Sequence, residues 1–155
     1  MRNILLCLFA LALFGCDKEP ISQQPVEKPE EKPIDFGVPY NEIWYTTSDR
    51  QTINPLWGPS LEHEIVSNTY QGNKAIMQFA GDITTIGNGL FSNRYNLTSM
   101  TLPSSVTSIG VSAFENSNML SRIDLPSSIT EIGKAAFASC ALTDIEVPKD
   151  VTILS

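Results

Sequence analysis

The chain has 155 residues, about the length of one domain, and a formal net charge of −7 from 10 Lys and Arg against 17 Asp and Glu. It contains no basic cluster, which disfavours nucleic acid and anionic headgroups as partners, because phosphate binding needs clustered Lys and Arg. With 42% hydrophobic residues it can bury a core. One histidine and three cysteines provide neither a disulfide framework nor a set of metal ligands, so no cofactor is expected.

Residues 1–15 are predicted to be a lipoprotein signal peptide. A positive start is followed by eleven apolar residues, 4–14, too few to span a bilayer but typical of a signal-peptide core. The run ends in Leu-Phe-Gly-Cys, which resembles a lipobox, with Cys16 as the thiol that takes the diacylglycerol. The alternative is an ordinary signal peptide that contains a cysteine. Several acyl chains on Cys16 would be a stable membrane anchor.

Residues 16–39 form a predicted tether. Half of the ten prolines lie here, between Glu and Lys residues, and such a segment stays extended. The Asp-Lys-Glu at 17–19 resembles the signals that send some lipoproteins to the outer face of the outer membrane, although any polar linker would look similar. The predicted location is therefore the outer membrane, lipid-anchored and exposed at the cell surface.

Residues 81–155 contain an internal repeat. Gly87, Gly110 and Gly133 are 23 residues apart, and a phenylalanine column at 91, 114 and 137 has the same period. Three units are complete and a fourth begins at Val151, but the third unit is one residue shorter between its Phe and its Leu. A period of 20–29 residues with an L-x-x-I-x-L pattern indicates a leucine-rich-repeat solenoid.

Each column of the repeat has a physical role. In L-x-x-I-x-L-P the apolar residues turn inward from a short strand, the x positions face outward, and proline ends the strand. The V-T-x-I-G segment predicts a second short strand, with Gly giving the freedom to turn out of it. The aromatic rings are expected to stack as a spine. The predicted fold is mainly β: a short right-handed solenoid of about three 22–23-residue repeats with an N-terminal β cap.

The predicted cap spans residues 40–80. Residues 43–47 are rich in strand formers, and residues 64–70 and 74–79 flank a Gln-Gly-Asn turn, which predicts a hairpin. Such a hairpin would cover the apolar end of the first repeat.

The repeat form V-T-S-I-G-x-x-A-F, followed by L-x-x-I-x-L-P, resembles the BspA-like family of bacterial surface leucine-rich-repeat proteins over roughly residues 40–155. The resemblance implies adhesion to host matrix proteins or other cells and engagement of innate immune receptors, without specifying a ligand. The chain departs from the family in having three full units and no visible closing cap.

The outward positions of the main strands are the candidate binding residues, because solenoids bind ligands on such ladders. One predicted column is Ser99, Arg122 and Asp144, and the next is Thr101, Asp124 and Glu146. This face turns from hydroxyl to acidic, and its carboxylates would attract a basic peptide or a cation, although two are too few for a calcium site. A merely solvated sheet face is the alternative.

The aromatic residues of the cap have two interpretations. Trp44, Tyr45 and Tyr70 are expected to be core, or else part of an aromatic platform for a sugar or peptide. Trp57, in a turn-rich loop, is the best exposed candidate for an aromatic contact.

Catalysis is not expected. His63 has no nucleophile or metal partner at a suitable spacing and is expected in a solvated loop. Cys140 aligns with Ser117 and is expected to be a small, mostly buried filler rather than a reactive thiol. A threonine column at 84, 107 and 130 is expected to satisfy backbone groups or face water.

The sequence thus predicts a non-catalytic, surface-anchored lipoprotein that binds a host or cell-surface protein or glycan. The alternative is a structural spacer, or a truncated remnant of a longer adhesin, without its own ligand. The abrupt end at Ser155 motivates this alternative, since an uncapped solenoid exposes a strand edge.

Overall fold

The computed structural model describes residues 35–56 and 60–153. Several sequence predictions concern residues outside these ranges: the signal peptide, Cys16, most of the tether and Trp57. All described residues belong to one structural unit, Lys32–Ser155. In this part of the chain there are nine strands, and no helix has the length and apolar character needed to cross a membrane.

The strands form two sheets. Sheet A has five strands in the order β2-β3-β1-β5-β7, and sheet B has four parallel strands in the order β4-β6-β8-β9. The bounds in sheet A are β1 Glu42–Thr47, β2 Ile65–Gln71, β3 Lys74–Phe79, β5 Leu97–Thr101 and β7 Arg122–Asp124. Those in sheet B are β4 Thr85–Ile86, β6 Ser108–Ile109, β8 Glu131–Ile132 and β9 Thr152–Ile153.

The predicted hairpin is confirmed, since β2 and β3 pair antiparallel around the turn at Gly72. The predicted strand at residues 43–47 is also present, and it connects the hairpin to the repeats. β1 pairs antiparallel with β3 on one side and with β5, the first main strand of the repeats, on the other. β5 and β7 are parallel, as neighbouring repeats require. One continuous sheet therefore joins the N-terminal strands to the repeat region.

The aromatic spine is confirmed. The ring centroids of Phe91 and Phe114 are 5.5 Å apart, and those of Phe114 and Phe137 are 5.4 Å apart, with interplanar angles of 14° and 9°. Phe91 and Phe114 are fully buried. The rings stack because each unit places its Phe in the same position relative to the strands, one unit above the next.

The glycine column has a different cause from the one predicted. Among the described glycines, positive φ angles occur at positions 37, 72 and 89, not in the repeat column. A Cβ on Gly110 would lie 2.7 Å from the backbone N of Asn88 and 2.8 Å from the carbonyl carbon of Gly87. Gly133 meets the backbone of Gly110 and Val111 in the same way. These glycines are needed because successive units stack backbone against backbone, and not to make a turn.

The third repeat lacks its main strand. Residues 142–147 form no strand, so sheet A ends at β7, and the side chain of Val147 is 41% exposed. Asp144 and Glu146 are exposed, as predicted, but they do not lie on a strand of sheet A, so the predicted strand ladder ends at the second repeat. This unit is one residue shorter between Phe137 and Leu142, yet Leu142 and Ile145 still pack against the core, so its apolar residues keep their inward direction without forming strand hydrogen bonds.

The threonine column forms hydrogen bonds with backbone carbonyl groups, which was one of the two expectations for it. The Thr107 hydroxyl donates to the carbonyl oxygen of Thr84 at 3.3 Å, and the Thr130 hydroxyl donates to that of Thr107 at 3.2 Å. These bonds join successive units beside sheet B. They add a second hydrogen bond to carbonyl groups that already accept the backbone N–H groups of Thr107 and Thr130 at 2.8 Å.

Cys140 is half-buried and replaces a serine of the preceding unit. The Ser117 hydroxyl donates to the carbonyl oxygen of Phe91 at 2.8 Å, and the Cys140 thiol lies 3.2 Å from that of Phe114. Burial raises the pKa of the Cys140 thiol, which disfavours the reactive thiolate. The expectation of a small filler residue fits this position.

Glu62 stabilises the first strand of sheet B. Its carboxylate accepts hydrogen bonds from the Thr84 hydroxyl at 2.6 Å and from the backbone N–H groups of Thr84 and Thr85 at 2.8 and 3.1 Å. Burial opposes ionisation of Glu62, but these hydrogen bonds outweigh burial and lower its pKa. The ionised carboxylate is therefore bound more strongly in the folded than in the unfolded chain.

Replacement of Glu62 by glutamine is expected to lower the free energy of unfolding by about 1 kcal/mol at pH 7, after allowance for solvent exposure. Because the folded pKa is depressed, this contribution is full above the unfolded carboxyl pKa of about 4.3 and is lost as the pH falls through the lower folded value. Urea unfolding at pH 7 and pH 3 should therefore show the gap between wild type and variant closing in acid. Glu131→Gln, an exposed control, should change little at pH 7, and a Glu62→Gln gap independent of pH would contradict the account.

Candidate ligand-binding face

Sheet A has one face against the core and one directed outward. In β1 the burial alternates, with Ile43 and Tyr45 buried and Trp44 and Thr46 only half-buried on the other side. The same alternation in β3, and the pairing registers of the sheet, place the outward side chains next to one another. This outer face comprises Ser67, Thr69, Gln71, Lys74, Ile76, Gln78, Glu42, Trp44, Thr46, Ser99, Thr101, Arg122 and Asp124.

The structure brings four of the predicted site residues together on the outer face. Ser99 pairs with Arg122 and Thr101 pairs with Asp124 across the parallel strands β5 and β7. The predicted columns are therefore present for the first two repeats.

Trp44 lies near the middle of the outer face and is half-buried, so it is not the core residue that the sequence favoured and occupies a surface position, as in the alternative interpretation. Its backbone pairs with Ile76 on one side and with Thr101 on the other. Its indole Nε1 donates to the Glu42 carboxylate at 2.8 Å, and the Lys74 ammonium lies 2.9 Å from the ring centroid. The alternation of Ile43-Trp44-Tyr45 is the sequence signal that could have put Trp44 and Tyr45 on opposite faces of a sheet.

Several hydroxyl groups lie on the outer face beside Trp44. The Thr46 hydroxyl is 2.6 Å from the Ser99 hydroxyl and 2.7 Å from the Thr98 hydroxyl. The Thr101 hydroxyl donates to the Asp124 carboxylate at 3.0 Å. Since hydroxyl groups donate and accept hydrogen bonds, they can adapt to either kind of group on a ligand.

The predicted acidic character of this face is wrong. Arg122 forms an ion pair with Asp124 at 2.9 Å, and its side chain is 73% exposed against 19% for the aspartate. Lys74 and Glu42 supply one further charge of each sign around Trp44. The four charges balance, because the acidic pair expected from the third repeat is not part of the sheet.

The outer face carries several kinds of group that can contact a ligand. It combines a flat sheet, one indole, hydroxyl and amide groups, and two charges of each sign, which together can hydrogen-bond and stack on a ligand. In the described ranges no three His, Cys, Asp or Glu side chains are grouped so that they could hold a metal ion.

Two of the cap aromatics, Tyr45 and Tyr70, pack in or against the core, in agreement with the first of the two interpretations. Tyr45 is 1% exposed, and its hydroxyl donates to Asn68 at 2.6 Å, while Tyr70 packs against it edge to face at 6.5 Å. Burial raises the pKa of Tyr45. These rings hold β2 onto the sheet and are not available to a ligand.

His63 is half-buried rather than free in solvent. Its ring packs against Gly81, where a Cβ would lie 2.8 Å from the imidazole Cε1. A small pocket lined by His63, Phe79 and Leu90 adjoins it. Its lining is mostly apolar, and the Glu62 carboxylate within it is already hydrogen-bonded to Thr84 and Thr85.

A family match covers most of the described chain. The sequence model of the BspA type Leucine rich repeat region matches residues 62–155 with six copies. The chain belongs to this family. The match begins inside the segment predicted as the N-terminal cap, and its six copies do not correspond one to one with the three 23-residue units, so the cap boundary and the repeat count stay predictions.

Two solved structures are similar to this chain. A leucine-rich repeat protein of T. pallidum has 25% identity over 50% of this chain and 48% of its own, with a TM-score of 0.43. One from Bacteroides ovatus has 28% identity over 56% of this chain and 27% of its own, with a TM-score of 0.40. The chain thus spans about half and about a quarter of their respective lengths. Among proteins of curated function, none matches it.

BspA-type leucine-rich-repeat domains are modules of a protein-binding or adhesion type, typically found on bacterial surfaces. The short β-rich solenoid described above agrees with this membership. The question that follows is which surface of the solenoid makes the contact.

Proposed function

We propose that the chain is a surface-anchored lipoprotein whose outer face binds a host or cell-surface protein or glycan. The observation that carries the proposal is the composition of that face around Trp44. An indole flanked by the Lys74 and Glu42 charges and by the Thr46–Ser99 hydroxyl pair offers both stacking and hydrogen bonds on one flat surface. Large aromatic side chains dominate recognition surfaces of this kind.

The lipid anchor at Cys16 and the tether at residues 16–39 are part of the same proposal. Their support is the sequence alone: an apolar run of signal-peptide length, the small residue before Cys16, and the proline-rich segment after it. A lipid anchor and an extended tether would present the outer face at a distance from the membrane.

A structural spacer is the second candidate, and one observation favours it. The polar groups of the outer face already satisfy one another, as in the Arg122–Asp124 ion pair and the Thr101–Asp124 hydrogen bond. A ligand must replace these internal contacts, whereas a spacer would need none. The test must therefore separate a face that binds from one that is merely solvated.

The test uses intact cells that produce the full-length chain, applied to an array of glycans and an array of extracellular-matrix proteins. Wild-type cells should bind some members of one array. Trp44→Thr, which keeps a strand former at this position, and the double variant Arg122→Ala/Asp124→Ala should each reduce that binding about tenfold, as expected when a central contact is lost. Glu131→Ala/Lys134→Ala removes the same two charges outside sheet A and should bind like wild type.

Accessibility is measured on the same cells with a protease that cannot cross the outer membrane. The proposal expects loss of the wild-type domain from intact cells and altered retention in a Cys16→Ala variant. Protection of the domain in intact cells, with normal digestion after lysis, would place it inside and end the adhesion proposal. A domain that is exposed and normally abundant but binds neither array would favour the spacer.

A further inference from the structure

Strand β2 forms one edge of sheet A. It pairs with β3 and with no other described strand, so every second residue directs its backbone N–H and C=O groups away from the sheet. The other edge, β7, has three residues and carries the Arg122–Asp124 ion pair. β2 is seven residues long and contains neither a charged residue nor a proline. A short strand and charged residues commonly prevent an edge from pairing with another chain, and β7 has both features whereas β2 has neither.

The edge is held rigid from the core side. The Asn68 side chain accepts a hydrogen bond from the Tyr45 hydroxyl at 2.6 Å and donates to the Ile53 carbonyl oxygen at 2.7 Å. The Tyr70 hydroxyl accepts from the backbone N–H of Thr47 at 2.8 Å. Because these bonds fix the strand, its free backbone groups are already arranged to receive another strand.

A register shift limits the usable part of the edge. Pairing with β3 skips Val66, which is 62% exposed, so the strand is irregular at its start. The regular stretch is therefore residues 67–71. Its exposed side chains, on Ser67, Thr69 and Gln71, are polar and uncharged.

We propose that the β2 edge pairs antiparallel with the β2 edge of a second copy of this chain, about a two-fold axis at Thr69. In this register Thr69 faces its counterpart, and Ser67 of each copy faces Gln71 of the other. No like charges meet along the strands, and facing threonines are a favourable cross-strand pair. The two copies of sheet A then form one continuous sheet of ten strands, and the interface is isologous.

Charge complementarity at the ends of the strands supports a second copy as the occupant. Antiparallel pairing brings the start of β2 in one copy beside the turn after β2 in the other. The start carries the exposed Glu64, and at the turn the Arg50 side chain donates to the carbonyl oxygen of Gly72 at 3.2 Å. The two-fold axis repeats this acidic-to-basic contact at both ends of the interface, which favours this register over a slipped one.

The first test places a cysteine on the axis of the full-length chain. In Thr69→Cys the two thiols would face each other across one strand spacing of about 5 Å. In the control Gln78→Cys they would be about 20 Å apart, because three strand spacings and four residues along the strand separate them. Treatment of producing cells with a bifunctional maleimide shorter than the larger separation should give a dimer-sized band for Thr69→Cys. The control and the wild type, which reports on the native cysteines, should give only a background band.

The second test uses the mass of the full-length chain extracted in detergent. Wild type and the control Gln78→Lys should have the mass of a dimer, whereas Thr69→Lys should have half that mass, because two ammonium groups would face each other at the axis. A monomeric wild type without a cross-link at residue 69, equal cross-linking at residues 69 and 78, or a dimeric Thr69→Lys would each overturn the proposal. So would cross-linking of residue 69 to a different protein. None of these outcomes depends on whether the outer face binds a ligand.

Discussion

Replacing Phe114 by alanine is expected to lower the free energy of unfolding by about 3–5 kcal/mol. Phe114 is fully buried and is the middle ring of the spine, in contact with Phe91 on one side and Phe137 on the other. Its removal leaves a cavity between two units that touch only their neighbours, so both interfaces lose packing at once. Urea unfolding followed by tryptophan fluorescence would measure the change.

Phe36→Ala provides the matched control, because it deletes the same side chain from a position that is 38% exposed. We expect its effect to be below about 1 kcal/mol, since little buried volume is lost. If Phe114→Ala were no more destabilising than Phe36→Ala, the stacked rings would not be a main source of stability. The loss expected for Phe114→Ala is a large fraction of the stability of a typical domain, so a fully unfolded variant would agree with the prediction.

Replacing Gly110 by alanine is expected to destabilise the fold by about 3 kcal/mol, the upper end of the usual range for overpacking. The added methyl group would lie 2.7 Å from the backbone N of Asn88 and 2.5 Å from its side-chain oxygen. That oxygen accepts from the Val111 N–H at 2.7 Å, and Gly110 itself donates to the Ile86 carbonyl oxygen at 2.7 Å. Moving the units apart to relieve the clash would stretch both hydrogen bonds.

Gly72→Ala is the control that changes backbone conformational freedom without introducing a steric clash. Gly72 has a φ of +64°, and a Cβ there would meet nothing within 4 Å. Its replacement should cost about 1 kcal/mol, the conformational penalty alone. Thermal unfolding of both variants tests whether Gly110→Ala lowers the melting temperature more than Gly72→Ala does. If Gly110→Ala were no more harmful than Gly72→Ala, close backbone stacking would not be what requires glycine at position 110.

The one-residue difference in the third unit shows where sequence reasoning failed. The spacing of Phe137 and Leu142 was visible in the sequence, but columns of matching letters still predicted a strand at residues 142–147. Strand pairing depends on an unbroken register, because side chains alternate with a period of two residues. The structure has no strand at residues 142–147, so Asp144 and Glu146 lie outside sheet A although each occupies its column in the repeat.

Trp44 shows what local pattern could have contributed and what it could not. The alternation of β1 predicts that Trp44 and Tyr45 face opposite sides of a sheet, but not which side is the core. That choice depends on the pairing of β1 with β5, strands separated by about fifty residues of chain. Contacts of such long range leave no mark in a local pattern.

The sequence by itself determined the repeat, its 23-residue period and the presence of two strand segments in each regular unit, because these depend on local alternation and on the recurrence of buried residues. Only the tertiary structure decided how the units meet. It showed that the repeat glycines are required by close backbone stacking and that β1 joins the repeats into one sheet. It also showed that the charges of the outer face are balanced. Each of these features depends on which strands and turns lie side by side. Such contacts join residues that are far apart in the chain, so no local sequence pattern predicts them.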